Sequence, residues 1–192
     1  KEEQRTYMLG RFNAFVVPVS EKAEKTFKEK SSFLLVPDRI RVNTAHIISV
    51  FLESKTLSNI FYAVRLTKKE NGNRYKALCC WLNSTFGLLE ILTNRQETEG
   101  AWIRLNISHW ILQNIFDITK INSKIIKKLS MIFDKYRTEN MGRLPHQYNP
   151  ENINPIRLAF DKEILKALKI RVKDDKLEEL YKMIYESFEQ WF

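Results

Sequence analysis

Residues 77–92 read ALCCWLNSTFGLLEIL, and how this stretch folds decides the rest. Ala77 to Leu82 form an unbroken apolar run, followed by Phe86, Leu88, Leu89, Ile91 and Leu92. At about 100° per residue these side chains cover most of a helix and leave one thin polar strip at Asn83, Ser84, Thr85 and Glu90. A helix so apolar must be covered by other elements, so one buried helix over 77–92 is expected at the centre of a core. Its length would be about 24 Å at 1.5 Å per residue, too short and too interrupted to span a bilayer.

Outward from that helix the patterns change. Upstream, FLLV at 33–36 ends at the turn signal Pro37-Asp38. Residues 39–44, 47–52 and 60–66 then alternate or run β-rich, predicting three or four strands of a mostly antiparallel sheet. Downstream, the polar segment 93–100 leads into alternating residues 101–107, a returning strand, then a short helix opened by Ser108 and an edge strand at 115–118. Beyond Asn122 the chain reads as helical. Ile125, Ile126, Leu129, Ile132, Phe133 and Tyr136 share one face, with Ser123 as the N-cap. A second helix is expected to open at Asp161, and a third, after Asp174-Asp175, carries the stripe Leu177, Leu180, Tyr181, Ile184, Tyr185, Phe188 and Trp191. Residues 142–155, rich in Pro and Asn, read as a linker loop, and the Lys/Glu mixture of 20–32 as a solvated helix or loop. The fold class expected is therefore α+β: a mostly antiparallel sheet packed around a buried helix at about 77–92, followed by a helical C-terminal portion. The boundary is placed between 1–122 and 123–192.

Charge narrows the partners. Of 32 basic and 23 acidic residues, 8 and 9 fall in 151–192, so residues 1–150 carry an excess of 10 positive charges. That imbalance favours a polyanion such as nucleic acid. Cys79 and Cys80, adjacent and apolar-flanked, suit neither a disulfide nor a metal site; buried reduced thiols of a cytoplasmic protein are expected. Five glycines, none in a G-x-G or P-loop arrangement, argue against a glycine-rich cofactor pocket. His46, His109 and His146 have no metal-ligand spacing, and no self-contained catalytic set is found, although Asp38 and His109 would be the residues to test for a nuclease.

The basic and polar residues flanking the central helix suit DNA better. Arg95 and Gln96 have side chains able to contact guanine and adenine bidentately. Thr98 suits a phosphate or a thymine methyl, and Lys68, Lys69, Arg74 and Arg104 suit phosphates. Arg39 and Arg41 alternate on one face of a predicted strand that can turn to the same partner. The pairs Glu97/Glu99 and Arg95/Arg104 are expected to salt-bridge.

The element WLNSTFG at 81–87, an LNS-x-x-G on an apolar helix, resembles that of target-recognition domains in restriction–modification DNA methyltransferases and type I specificity subunits. ETEGAWI at 97–103 matches the polar segment, glycine and returning strand that follow it there, and LLVPDRIRVNT and residues 59–66 look like the strands that precede it. DKEILKAL at 161–168 is similar to a late helix in large N6-adenine DNA methyltransferases. The likeness covers roughly residues 33 to 170. It implies a non-catalytic sequence-recognition fragment that binds double-stranded DNA and takes the LNS residues, Asn83 included, as structural. It also implies that an upstream methyltransferase domain of the same parent chain supplies S-adenosylmethionine, consistent with a first residue that is Lys, not Met; no cofactor is expected in this fragment. The alternative is a protein-interaction module whose C-terminal helices dock a partner.

Overall fold

The computed structural model describes residues 7–10, 20–67, 71–94, 96–97, 102–115 and 117–190. The first described helix, α1 (Glu21–Lys30), is solvated, capped by Ser20 and carrying a Lys28–Glu24 ion pair at 2.7 Å. β1 (Ser32–Pro37) runs into β2 (Arg39–Arg41) with only Asp38 between them. β3 (Val50–Thr56) and β4 (Phe61–Val64) follow, both antiparallel to β1. After them come α2 (Gly72–Leu82), α3 (Thr85–Thr93), β5 (Gln96–Glu97), β6 (Trp102–Arg104) and α4 (Ile107–Leu112). The C-terminal part is α5 (Ser123–Tyr136), α6 (Leu144–Gln147), α7 (Pro155–Leu168) and α8 (Asp174–Glu189).

The class is α+β and the sheets are antiparallel, but among the described residues there are two of them, ordered β3-β1-β4 and β2-β6-β5. Pro37 closes β1 and Asp38 turns the chain from the first sheet to the second. The expected single helix over 77–92 is two helices. Asn83 ends α2, and Ser84, in extended geometry, starts α3 by accepting from the Gly87 amide at 3.2 Å. The polar residues that read as a strip along one helix are instead a joint between two.

That joint has a clear physical logic. Asn83 Oδ1 accepts from the Ile48 and Ser49 amides at 2.7 and 3.0 Å, and its Nδ2 donates to the Ser49 carbonyl at 2.8 Å. Gly87 lets α3 press on the end of α2: an added Cβ would lie 2.8 Å from Leu82 Cα and closer still to the Trp81 carbonyl. The LNS-x-x-G element is structural, as expected of Asn83.

α2 packs against β1, β3 and α5 in a first apolar cluster that includes Leu34, Phe51, Tyr75, Leu78, Phe133 and Phe160. α3 lies in a second cluster, where Leu88, Ile91 and Leu92 join Ile40 and Ile103 from the second sheet and Tyr181, Ile184 and Phe188 from α8. Both clusters draw on residues from each side of 122/123, so that boundary cuts through two cores. Of the apolar stripe of α8, Leu177, Tyr181, Ile184 and Phe188 are buried in their own chain, Leu180 and Tyr185 are partly buried against them, and Trp191 lies outside the described residues.

Several local expectations are corrected. Residues 115 and 117–118 form no strand; the Asp117 carboxylate accepts from the Thr119 amide at 2.9 Å and makes a turn. Asn106 and Asn122, not Ser108 and Ser123, cap α4 and α5. α7 starts at Pro155 under an Asn154 cap, which leaves Asp161 mid-helix and fully buried. The stretch 142–155 is no linker: it contains α6, and Leu144, Gln147 and Tyr148 are buried in it. Cys79 and Cys80 are buried free thiols.

Candidate nucleic-acid interface

β2 and β6 each alternate exposed, buried, exposed. Their antiparallel register sets Arg39 opposite Arg104, Ile40 opposite Ile103 and Arg41 opposite Trp102. The two isoleucines point inward to the α3 cluster, so Arg39, Arg41, Trp102 and Arg104 share the outward face. The Leu105 amide extends the pairing by donating to the Asp38 carbonyl at 2.7 Å. β5 adds Gln96 in register with Arg104 on its other side.

Among the described residues the charge on this face is compensated only at Arg39. Arg39 donates to the Asp38 carboxylate at 3.3 Å, a solvated pair of small energetic value. Among the described residues Arg104 and Arg41 have no carboxylate partner; the Arg41 guanidinium lies over the Trp102 ring, 6.0 Å from its centroid. Like charges directly opposite in an antiparallel pair repel. Arg39 and Arg104 hold that geometry because the buried isoleucines fix the register.

A groove of about 310 Å³ borders the face, lined among others by Arg39, Arg41, Trp102, His46, Phe61 and Arg143. Its wall is the loop 43–49, which is held at several points. Asn83 binds it at Ile48 and Ser49, the Leu144 amide donates to the Ala45 carbonyl at 2.7 Å, and Gln147 Nε2 donates to the His46 carbonyl at 2.8 Å.

Behind the wall lies a buried polar chain. Gln147 Oε1 accepts from Arg157 Nε at 2.8 Å, and Arg157 Nη1 donates to the Asn83 carbonyl at 2.7 Å. Arg157 faces Asp161 at 3.7 Å, both side chains almost wholly buried. Asp161 in turn accepts from the Thr85 amide and hydroxyl and, at 2.6 Å, from Tyr181. Burial pushes the Tyr148 phenol up to about 12, although Arg157 nearby opposes this. Hydrogen bonds, joined by the Arg157–Asp161 ion pair, thus run from α8 through the α2–α3 joint to the groove.

No protein-family profile, curated protein or solved structure matches the chain.

Of the residues expected to meet DNA, Arg39, Arg41 and Arg104 come together on the β2–β6 face, and Gln96 takes the register position beside Arg104. Arg74 stands apart, in the first turn of α2, with its guanidinium donating to the Ile118 carbonyl. Lys68, Lys69, Arg95 and Thr98 lie outside the described residues, as do Glu99 and the side chain of Glu97. Trp102 and Arg143 were not among the expected site residues. The exposed place of Trp102 was readable from its alternation with Ile103 and Arg104; Arg143 reaches the groove only through the pairing of Leu144 with Ala45, which leaves no local trace.

Among the described residues that line the groove are three arginines, Arg39, Arg41 and Arg143, and no carboxylate. Among the described residues no group of three His, Cys, Asp or Glu side chains could hold a metal ion, and no helix is long and apolar enough to cross a membrane.

Proposed function

We propose that the outward face of β2–β6 binds duplex DNA, and that the chain is the target-recognition part of an adenine-N6 DNA methyltransferase. The observation that carries this reading is the register of Arg39 against Arg104, two basic residues directly opposite each other on one outward face, with Asp38 the one carboxylate among the described residues that pairs with either. Such an arrangement costs stability in the free protein and recovers it when an anion is bound. A two-stranded antiparallel ribbon has the dimensions to enter a major groove about 12 Å wide, and its outward side chains then meet base edges and flanking phosphates. Arg39, Arg104 and Arg143 hold phosphates in this account. The LNS-x-x-G resemblance directs it to restriction–modification methyltransferases, whose upstream domain would bind S-adenosylmethionine, extrude the adenine and transfer the methyl group.

The test is a fluorescence-anisotropy titration of a labelled duplex at several salt concentrations. Three arginine–phosphate contacts predict a slope of log K against log salt of roughly −2.7. Absence of binding at low salt, or affinity indifferent to salt, refutes the proposal.

A further inference from the structure

We infer that Arg41 is the residue that reads sequence, donating its paired N–H groups to a guanine edge, and that Trp102 presets it for this role. The inference rests on the duplex-binding reading above and adds a division of labour among the arginines. Arg39 is drawn sideways to Asp38, and Arg104 faces the like charge of Arg39. Among the described residues of the face only Arg41 lies over an aromatic ring, its guanidinium 6.0 Å from the centroid of Trp102, its cross-strand neighbour. An arginine over an aromatic face keeps its N–H fork free for a planar acceptor and gives up little conformational freedom on binding. Guanine presents such an acceptor pair, O6 and N7, in the major groove. Phosphate contacts fix register but carry no sequence information, so reading falls to the side chain that a neighbouring ring orients.

Selection from a pool of duplexes with a randomised core tests the assignment. The chain should enrich a site containing guanine. Arg41→Ala should lose the preference at that one position, with a fall of about five- to a hundredfold in affinity for the selected duplex and little change for a duplex carrying another base there. Arg41→Lys, which keeps the charge but not the fork, should lose the same preference, and it decides the matter if Arg41→Ala fails to fold. Trp102→Ala should weaken the preference and Trp102→Phe restore it. Arg143→Ala should weaken all duplexes alike and leave the selected site unchanged. A guanine preference that survives Arg41→Ala or Arg41→Lys overturns the assignment, as does selection of no site at all by a chain that binds duplex. A Trp102→Ala variant with undiminished preference overturns the presetting role. Failure to retain any duplex defeats the underlying DNA-binding reading instead.

Discussion

Arg39 and Arg104 stand directly opposite each other across β2 and β6, two positive side chains in register on one outward face. Behind them Ile40 and Ile103 are paired in the same way and are buried against α3, which prevents the strands from slipping to separate the charges. The arrangement makes binding and stability pull in opposite directions. Arg104→Glu should raise stability by about 0.2–1 kcal/mol, because the introduced carboxylate meets Arg39. The same change should abolish duplex binding. Urea denaturation and anisotropy on one preparation check both halves.

The joint between α2 and α3 should be intolerant of small changes. Gly87→Ala would drive its methyl group into the Trp81 carbonyl and Leu82, with an expected loss of about 1–3 kcal/mol. Asn83→Ala leaves the buried Ile48 and Ser49 amides without their acceptor, at a cost of about 1–3 kcal/mol. The second change also releases the groove wall, so DNA affinity should fall further than folded fraction alone explains. Binding measured well below the melting temperature separates the two effects.

How much of this was legible beforehand depended on distance along the chain. The α5 stripe of Ile125, Ile126, Leu129, Ile132, Phe133 and Tyr136 and the Asp174-Asp175 start signal of α8 are local patterns; α5 buries all of that stripe except the half-buried Ile125, and α8 takes the two aspartates into its first turn. The alternation of Arg39-Ile40-Arg41 was equally plain. The helix break was hidden because Asn83, Ser84 and Thr85 satisfy both a polar strip and a cap; the deciding partners, Ile48, Ser49 and Asp161, lie far away in sequence. For the same reason Gln147 and Tyr148 looked like loop residues, although Arg157 and Thr85 hold them inside the core. The opposition of Arg39 and Arg104 is a matter of strand pairing, and no local rule contains it.

The buried pair Arg157–Asp161 should respond asymmetrically to substitution. Arg157→Met alone strands the Asp161 carboxylate in the core and should cost about 3–5 kcal/mol. Combining it with Asp161→Leu removes the orphaned charge, so the double variant should lose less than the sum of the two single changes. A double-mutant cycle by denaturant unfolding measures the difference.

Alkaline pH should unfold the protein early. Burial pushes the Cys79 thiol up to about 12 from its ordinary 9, and the Tyr148 phenol up to about 12 from 10. Both groups keep their protons longer in the folded chain than in the unfolded one. Their contribution is therefore complete below pH 9 and declines progressively toward pH 12. The midpoint of urea unfolding should stay level up to about pH 9 and fall beyond it, and Tyr148→Phe should flatten the part of that fall above pH 10.

The claim on which the account stands is that duplex DNA meets the outward face of β2 and β6. An NMR titration of the isotopically labelled chain with a short duplex locates the contact directly. The account predicts that the backbone amides of Arg39, Arg41, Trp102 and Arg104 shift first and most, with Arg143 and the 43–49 wall following. Shifts confined to α5, α7 or α8, with those four amides unmoved at saturation, would contradict it.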